Sequence, residues 1–142
     1  MSEDNVEIVR RGIDEFQAGL ARGDPGVIFD SGIVAPDAEW IPDPNPGTAV
    51  GLRPVYRGRD GFVEFMGTWT EDFDWSIELE RLIDVGDDRV VAMFHQRATG
   101  KASGAAVELH MALIYELENG RVTRMRNFLN PAHALEAAGL SE

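Results

Sequence analysis

A chain of 142 residues is long enough for one domain with a sizeable buried core, and its lack of cysteine rules out disulfides, thiolate metal sites and cysteine nucleophiles. Its formal charge of −12 argues against nucleic acid or an anionic membrane as a partner, because both are recognised by basic surfaces. No apolar run approaches the ~20 residues of a membrane span, and Met1-Ser2-Glu3-Asp4 is acidic where a signal sequence is basic, so a soluble cytoplasmic protein is expected.

In chain order, Val6, Val9, Ile13, Phe16 and Leu20 recur at spacings of three and four and predict a helix with one apolar stripe, ended by Gly23. Asp24 and Pro25 open a second, short helix, with Asp24 as N-cap and Val27 and Ile28 turned inward. Pro36 to Ile41 reads as a short strand. Residues 42–58 hold four prolines with Gly47 and Gly51 and predict a long loop, a length associated with lids and binding loops. A third helix follows Gly58-Arg59-Asp60, with Phe62, Phe65, Met66 and Trp69 on one face. Asp74 to Asp84 is the next strand, with Trp75, Ile77 and Leu79 on one side.

From Arg89 to Asn130 three strands form a meander. Across the Gly100–Ala105 turn, Phe94 is expected opposite Met111, Gln96 opposite Leu109 and Arg97 opposite Glu108. The last pair favours this register by charge. Glu118-Asn119-Gly120 suits a type I turn closed by a glycine bulge, which would set Met111 opposite Asn127 and Leu109 opposite Leu129. Alternation then separates two faces. One carries Val90, Ala92, Phe94, Gln96, Ala98, Val107, Leu109, Met111, Leu113, Tyr115, Met125, Asn127 and Leu129. It is apolar but for two amides and the Tyr115 hydroxyl, and is expected to face the helices and any cavity. The other face bears His95, Arg97, Glu108, His110, Arg124 and Arg126 among apolar residues, a mixture that suits solvent or a dimer interface. Asn130-Pro131 caps a last helix that Gly139 ends.

Helices followed by a curved antiparallel or mixed sheet folded over them make an α+β layer architecture over residues 1–142, with an apolar pocket in the cone between the layers. The expected ligand-binding residues are Phe16, Trp40, Phe65, Trp69, Phe94, Gln96, Leu109, Met111, Asn127 and Leu129. Proton carriers, if there is a reaction, are sought at Asp43, which follows the first strand, at Tyr56, and at His95 and His110, whose registers bring them together. Two histidines and Glu108 fall short of a metal set, since Glu108 has Arg97 opposite it, so neither metal nor cofactor is expected.

The order of these elements resembles a known family. The residues that carry the resemblance are Arg57-Gly58-Arg59-Asp60, Glu118-Asn119-Gly120-Arg121-Val122 and the terminal Asn130-Pro131-Ala132-His133-Ala134-Leu135-Glu136-Ala137-Ala138-Gly139-Leu140. The chain looks like a SnoaL-like protein of the nuclear transport factor 2-like superfamily, which includes ketosteroid isomerases, limonene epoxide hydrolases and polyketide cyclases. The resemblance implies a cone-shaped fold, a homodimer through the outer sheet face, and a steroid-, terpenoid- or polyketide-like ligand.

Carried over residue by residue, the epoxide hydrolase carboxylates fall on Gln96 and Asn127 and their arginine on Phe94. The tyrosine and asparagine that hold the attacking water fall on Trp40 and Pro42. The ketosteroid isomerase groups fall on Pro42 or, with a one-residue slip, Asp43, and on Phe16 and Leu113. An amide cannot move a proton near neutral pH. The first reading is therefore a protein that binds a mostly apolar small molecule, oriented by Gln96 and Asn127. The alternative is an isomerase, cyclase or hydratase that uses Asp43, Tyr56 or a histidine.

Overall fold

The structure is a computed structural model that describes residues 2–42 and 54–140. Helix α1, Ser2–Ala21, buries Val9 and Ile13 along the predicted stripe. At Gly19 a side chain would meet the Asp24 carbonyl oxygen and a Val27 methyl, each at 2.4 Å, so glycine lets the next segment fold back against the helix. That segment is a 3-10 helix, Pro25–Phe29, in which Ile28 is buried and Val27 half-buried. Asp24 does not cap it through its side chain, contrary to the sequence reading: the carboxylate turns to Arg59, at 3.6 Å, and the same guanidinium also pairs with Asp30.

Strand β1, Val34–Ile41, begins two residues earlier than predicted, and the two-residue β2, Tyr56–Arg57, pairs with it. The predicted loop over 42–58 falls largely outside the described residues, and Asp43 with it. Helix α2, Gly58–Thr70, buries Phe62, Phe65 and Met66; the Trp69 side chain is not among those described. Phe62 meets Phe16, Phe29 and Trp40 at centroid separations of 6.0, 5.7 and 5.5 Å, so one ring joins both helices to β1.

Strands β3 (Phe73–Gly86), β4 (Arg89–Gly100), β5 (Ala106–Glu118) and β6 (Arg121–Phe128) complete a six-stranded mixed sheet of order β2-β1-β6-β5-β4-β3. Among the described strands, only the β1–β6 pairing is parallel. The β4–β5 register is the predicted one, with Phe94 opposite Met111, Gln96 opposite Leu109 and Arg97 opposite Glu108.

The β5–β6 register differs. Asn127 stands opposite Leu113, two residues from the expected Met111. Asn119 and Gly120 both have positive φ, 52° and 78°, so the turn is a two-residue loop of the type I′ kind, and a bulge between Glu116 and Leu117 then slips the ladder further. A slip of two keeps every side chain on its predicted face and changes only its neighbours.

Helices α1 and α2 cover the inner face of the sheet. Helix α3, Pro131–Ala137, packs on the outer face, where Ala134 and Ala138 join Val91, Ala112, Ile114 and Phe128 in a second apolar cluster. Its ends are built as predicted. The Asn130 side chain accepts a hydrogen bond from the Ala132 amide, and at the other end Gly139, at φ 81°, and Leu140 donate back to Glu136 and Leu135.

Candidate functional site

Between the helices and the inner sheet face lies a cavity of about 820 Å³, open mouth included. Its wall is built from alternate residues of the strands: Trp75 and Ile77 of β3, Phe94 and Gln96 of β4, Met111, Leu113 and Tyr115 of β5, Met125 and Asn127 of β6, and Trp40 of β1. Val9, Gly12, Ile13 and Phe16 of α1 and Phe62, Phe65 and Met66 of α2 close it from the other side, and Leu129 borders it just past β6.

Among the described residues, no Asp, Glu, Lys, Arg or His belongs to this lining. Its polar groups are the amides of Gln96 and Asn127, 5% and 8% exposed, the Tyr115 hydroxyl and two indole N–H groups. Burial pushes the Tyr115 hydroxyl well above its ordinary range, so it stays protonated and acts as a hydrogen-bond donor rather than a base. The Nε1 atoms of Trp40 and Trp75 and Oδ1 of Asn127 are sealed from solvent without a partner among the described residues. A buried polar atom left unpaired costs about 1–3 kcal/mol, which a ligand or a small local shift can recover.

Of the residues named from sequence, Phe16, Trp40, Phe65, Phe94, Gln96, Met111, Asn127 and Leu129 border this one cavity. Leu109 does not. It faces inward opposite Gln96, but the slipped register leaves its rung beyond the end of β6, so no strand encloses it on that side. The sequence reading passed over Trp75, Ile77, Val9 and Ile13 as lining residues; the alternation along β3 and the apolar stripe of α1 are the signals that mark them.

The proton-carrier candidates lie elsewhere. Tyr56 is 3% exposed and packs edge-on to Phe65 at 5.3 Å, outside the cavity wall. His95 and His110 stand directly opposite each other on the outer face, their rings stacked at 4.7 Å with 13° between planes. His95 Nε2 lies 3.2 Å from Glu108, and His110 Nδ1 lies 3.2 Å from Glu80. Arg97 Nε is 3.6 Å from the same Glu108 carboxylate. Among the described residues, no three His, Asp or Glu side chains are grouped so as to hold a metal ion.

Residues 10–125 match the model of the SnoaL-like domain family. The chain belongs to the SnoaL-like family. Among curated proteins, none matches it in sequence. Solved structures do match. An NTF2-like protein of unknown function from Burkholderia pseudomallei K96243 superposes with a TM-score of 0.70 at 22% identity, covering 94% of this chain and 95% of that one. TerC, co-crystallised with polyporic acid, gives 0.71 at 21% identity, covering 96% and 98%. A candidate SnoaL-like polyketide cyclase from Jannaschia sp. CCS1 gives 0.70 at 19% identity, covering 99% and 94%. At these identities the likeness establishes an NTF2-like α+β fold for this SnoaL-like chain and leaves its chemistry to its own residues. No described helix is long and apolar enough to cross a membrane.

Proposed function

We propose that this SnoaL-like protein binds a mostly apolar small molecule, steroid-, terpenoid- or polyketide-like, in the cavity between its helices and its sheet. One observation carries the reading: an apolar cavity whose lining holds two buried amides and a protonated tyrosine and, among the described residues, no side chain that titrates near neutral pH. Such groups orient a ligand by hydrogen bonds, whereas proton transfer needs an acid or base within reach of it. His95 and His110 lie on the opposite face of the sheet, and Tyr56 is packed into the core. That TerC was crystallised with polyporic acid gives one example of a small molecule held by a protein of this fold. The alternative, an isomerase, cyclase or hydratase, rests on Asp43, which lies outside the described residues.

The same reading includes a homodimer through the part of the outer sheet face that α3 leaves uncovered, where Arg97, Glu108 and His110 are exposed. Sedimentation analysis tests it, and a monomer at all concentrations would refute it.

The ligand proposal is tested by a thermal-shift panel of steroid-, terpenoid- and polyketide-like compounds on the wild type and on Ile77→Glu. Ile77 is a half-buried lining residue on an edge strand, where a charge can be carried without unfolding the chain. A compound at a hundred times its dissociation constant stabilises by ~2.7 kcal/mol. A class that raises the melting temperature of the wild type and not of Ile77→Glu supports the proposal; an unresponsive wild type counts against it.

A further inference from the structure

We infer that the molecule this cavity takes is uncharged and two-ended, apolar through its middle, with one hydrogen-bonding group for Gln96 and another for Asn127 and Tyr115. The inference rests on the cavity being a ligand site and narrows that reading by charge and by the placement of its polar atoms.

The charge argument is direct. No side chain of the described lining carries a charge at neutral pH. A carboxylate or ammonium entering it would give up hydration with nothing of opposite sign to meet, a cost far above that of a neutral polar group.

The two ends follow from the ladder. Ala92, Leu113 and Asn127 share one rung, and Tyr115 lies two residues beyond Leu113 on β5. Gln96 lies four residues from Ala92 in the opposite direction, and the rung between, Phe94 with Met111, is wholly apolar. Four residues at ~3.4 Å along the strand and two strand spacings of ~4.8 Å put the Gln96 and Asn127 backbones on the order of 15 Å apart. After side-chain reach and hydrogen-bond lengths are taken off, the polar atoms of a bridging ligand stand on the order of 10 Å apart. Neither the Gln96 amide nor the Tyr115 hydroxyl has a hydrogen-bond partner among the described residues, and both residues belong to the cavity wall. Asn127 Oδ1, at the other end from Gln96, is unpaired but sealed, so a ligand there bonds the Tyr115 hydroxyl and reaches Asn127 after a small turn of its side chain.

The test uses three rigid probes: biphenyl with a hydroxyl at each para position, biphenyl with a single para hydroxyl, and the single-hydroxyl compound with a carboxylate at its other end. Dissociation constants are measured by calorimetry on the full chain and on Gln96→Met and Asn127→Leu. The diphenol is expected to bind about tenfold tighter than the monophenol, the difference one net hydrogen bond makes, and the carboxylate weaker than both. In either variant the gap between diphenol and monophenol closes while monophenol binding persists. If the probes bind without that gap, or the carboxylate binds as well as the diphenol, the two-ended neutral inference is overturned and the cavity reading stands. If none of the three binds, the cavity reading fails and takes the inference with it. The wild-type ranking alone decides between these outcomes should either variant fail to fold.

Discussion

Asn5, in the first turns of α1, donates through Nδ2 to Oδ1 of Asp88, 83 residues away in the β3–β4 turn, at 3.0 Å. Asn5 is 7% exposed, and Asp88 sits at φ 59° in the left-handed region. The bond pins the start of the helix that roofs the cavity to one end of the sheet. Asn5→Ala removes this bond and leaves a small void at a buried position, while the exposed Asp88 carboxylate turns to water. It is expected to cost about 0.5–1.5 kcal/mol, read as a lower urea midpoint at unchanged slope.

Glu39 makes the second prediction. The Arg57 hydrogen bond holds its carboxyl below the ordinary range against the opposing effect of burial, and Arg124 adds to it from the neighbouring strand at 3.2 Å. A carboxylate depressed in the folded state contributes stability that is present above its unfolded pKa and lost as pH falls through the folded value. Both arginines are largely exposed, so the contribution is under about 1 kcal/mol. Glu39→Gln is therefore expected to melt slightly below the wild type at pH 7, with the difference beginning to shrink as pH falls below the ordinary glutamate value of about 4.3 and gone once it is below the lowered folded value. A difference that grew on acidification would contradict this sign.

Two helical glycines should respond in opposite directions to the same substitution. At Gly67 in α2 an added methyl meets no atom of the described residues within 4 Å, and Gly67→Ala is expected to stabilise by about 0.5–1 kcal/mol. At Gly19 the same methyl would run into the Asp24 carbonyl, so Gly19→Ala is expected to destabilise. Thermal melts of the two variants check the pair.

The stacked histidines provide a control for the site. His95→Ala and His110→Ala alter only the outer face. Any ligand-induced rise in melting temperature is expected to survive both substitutions. Its loss in either would move the site to that face.

The faces of the sheet were legible in the sequence because strand alternation has a period of two, and no register error of two residues disturbs it. That is why Gln96 and Asn127 point inward as read, and His95 and His110 outward, although Asn127 faces Leu113 rather than Met111. The β4–β5 register was legible from the Arg97–Glu108 pair, but the β5–β6 register was not. Glu118-Asn119-Gly120 is compatible with more than one turn, and the bulge at Glu116–Leu117 has no composition of its own. The Asp24 cap failed for a related reason: its competitor, Arg59, is 35 residues away in sequence and adjacent only in the fold. The covering of the outer face by α3 was equally hidden, since an alanine-rich helix gives no sign of which surface it will choose.

The central claim is that an uncharged apolar molecule enters the cone between helices and sheet. It is tested most directly by titrating the neutral fluorophore N-phenyl-1-naphthylamine into the protein and following energy transfer from Trp40 and Trp75, both in the cavity wall. The account expects saturable binding that Ile77→Glu abolishes and His95→Ala leaves intact. Binding that ignores Ile77→Glu, or that never saturates, would contradict it.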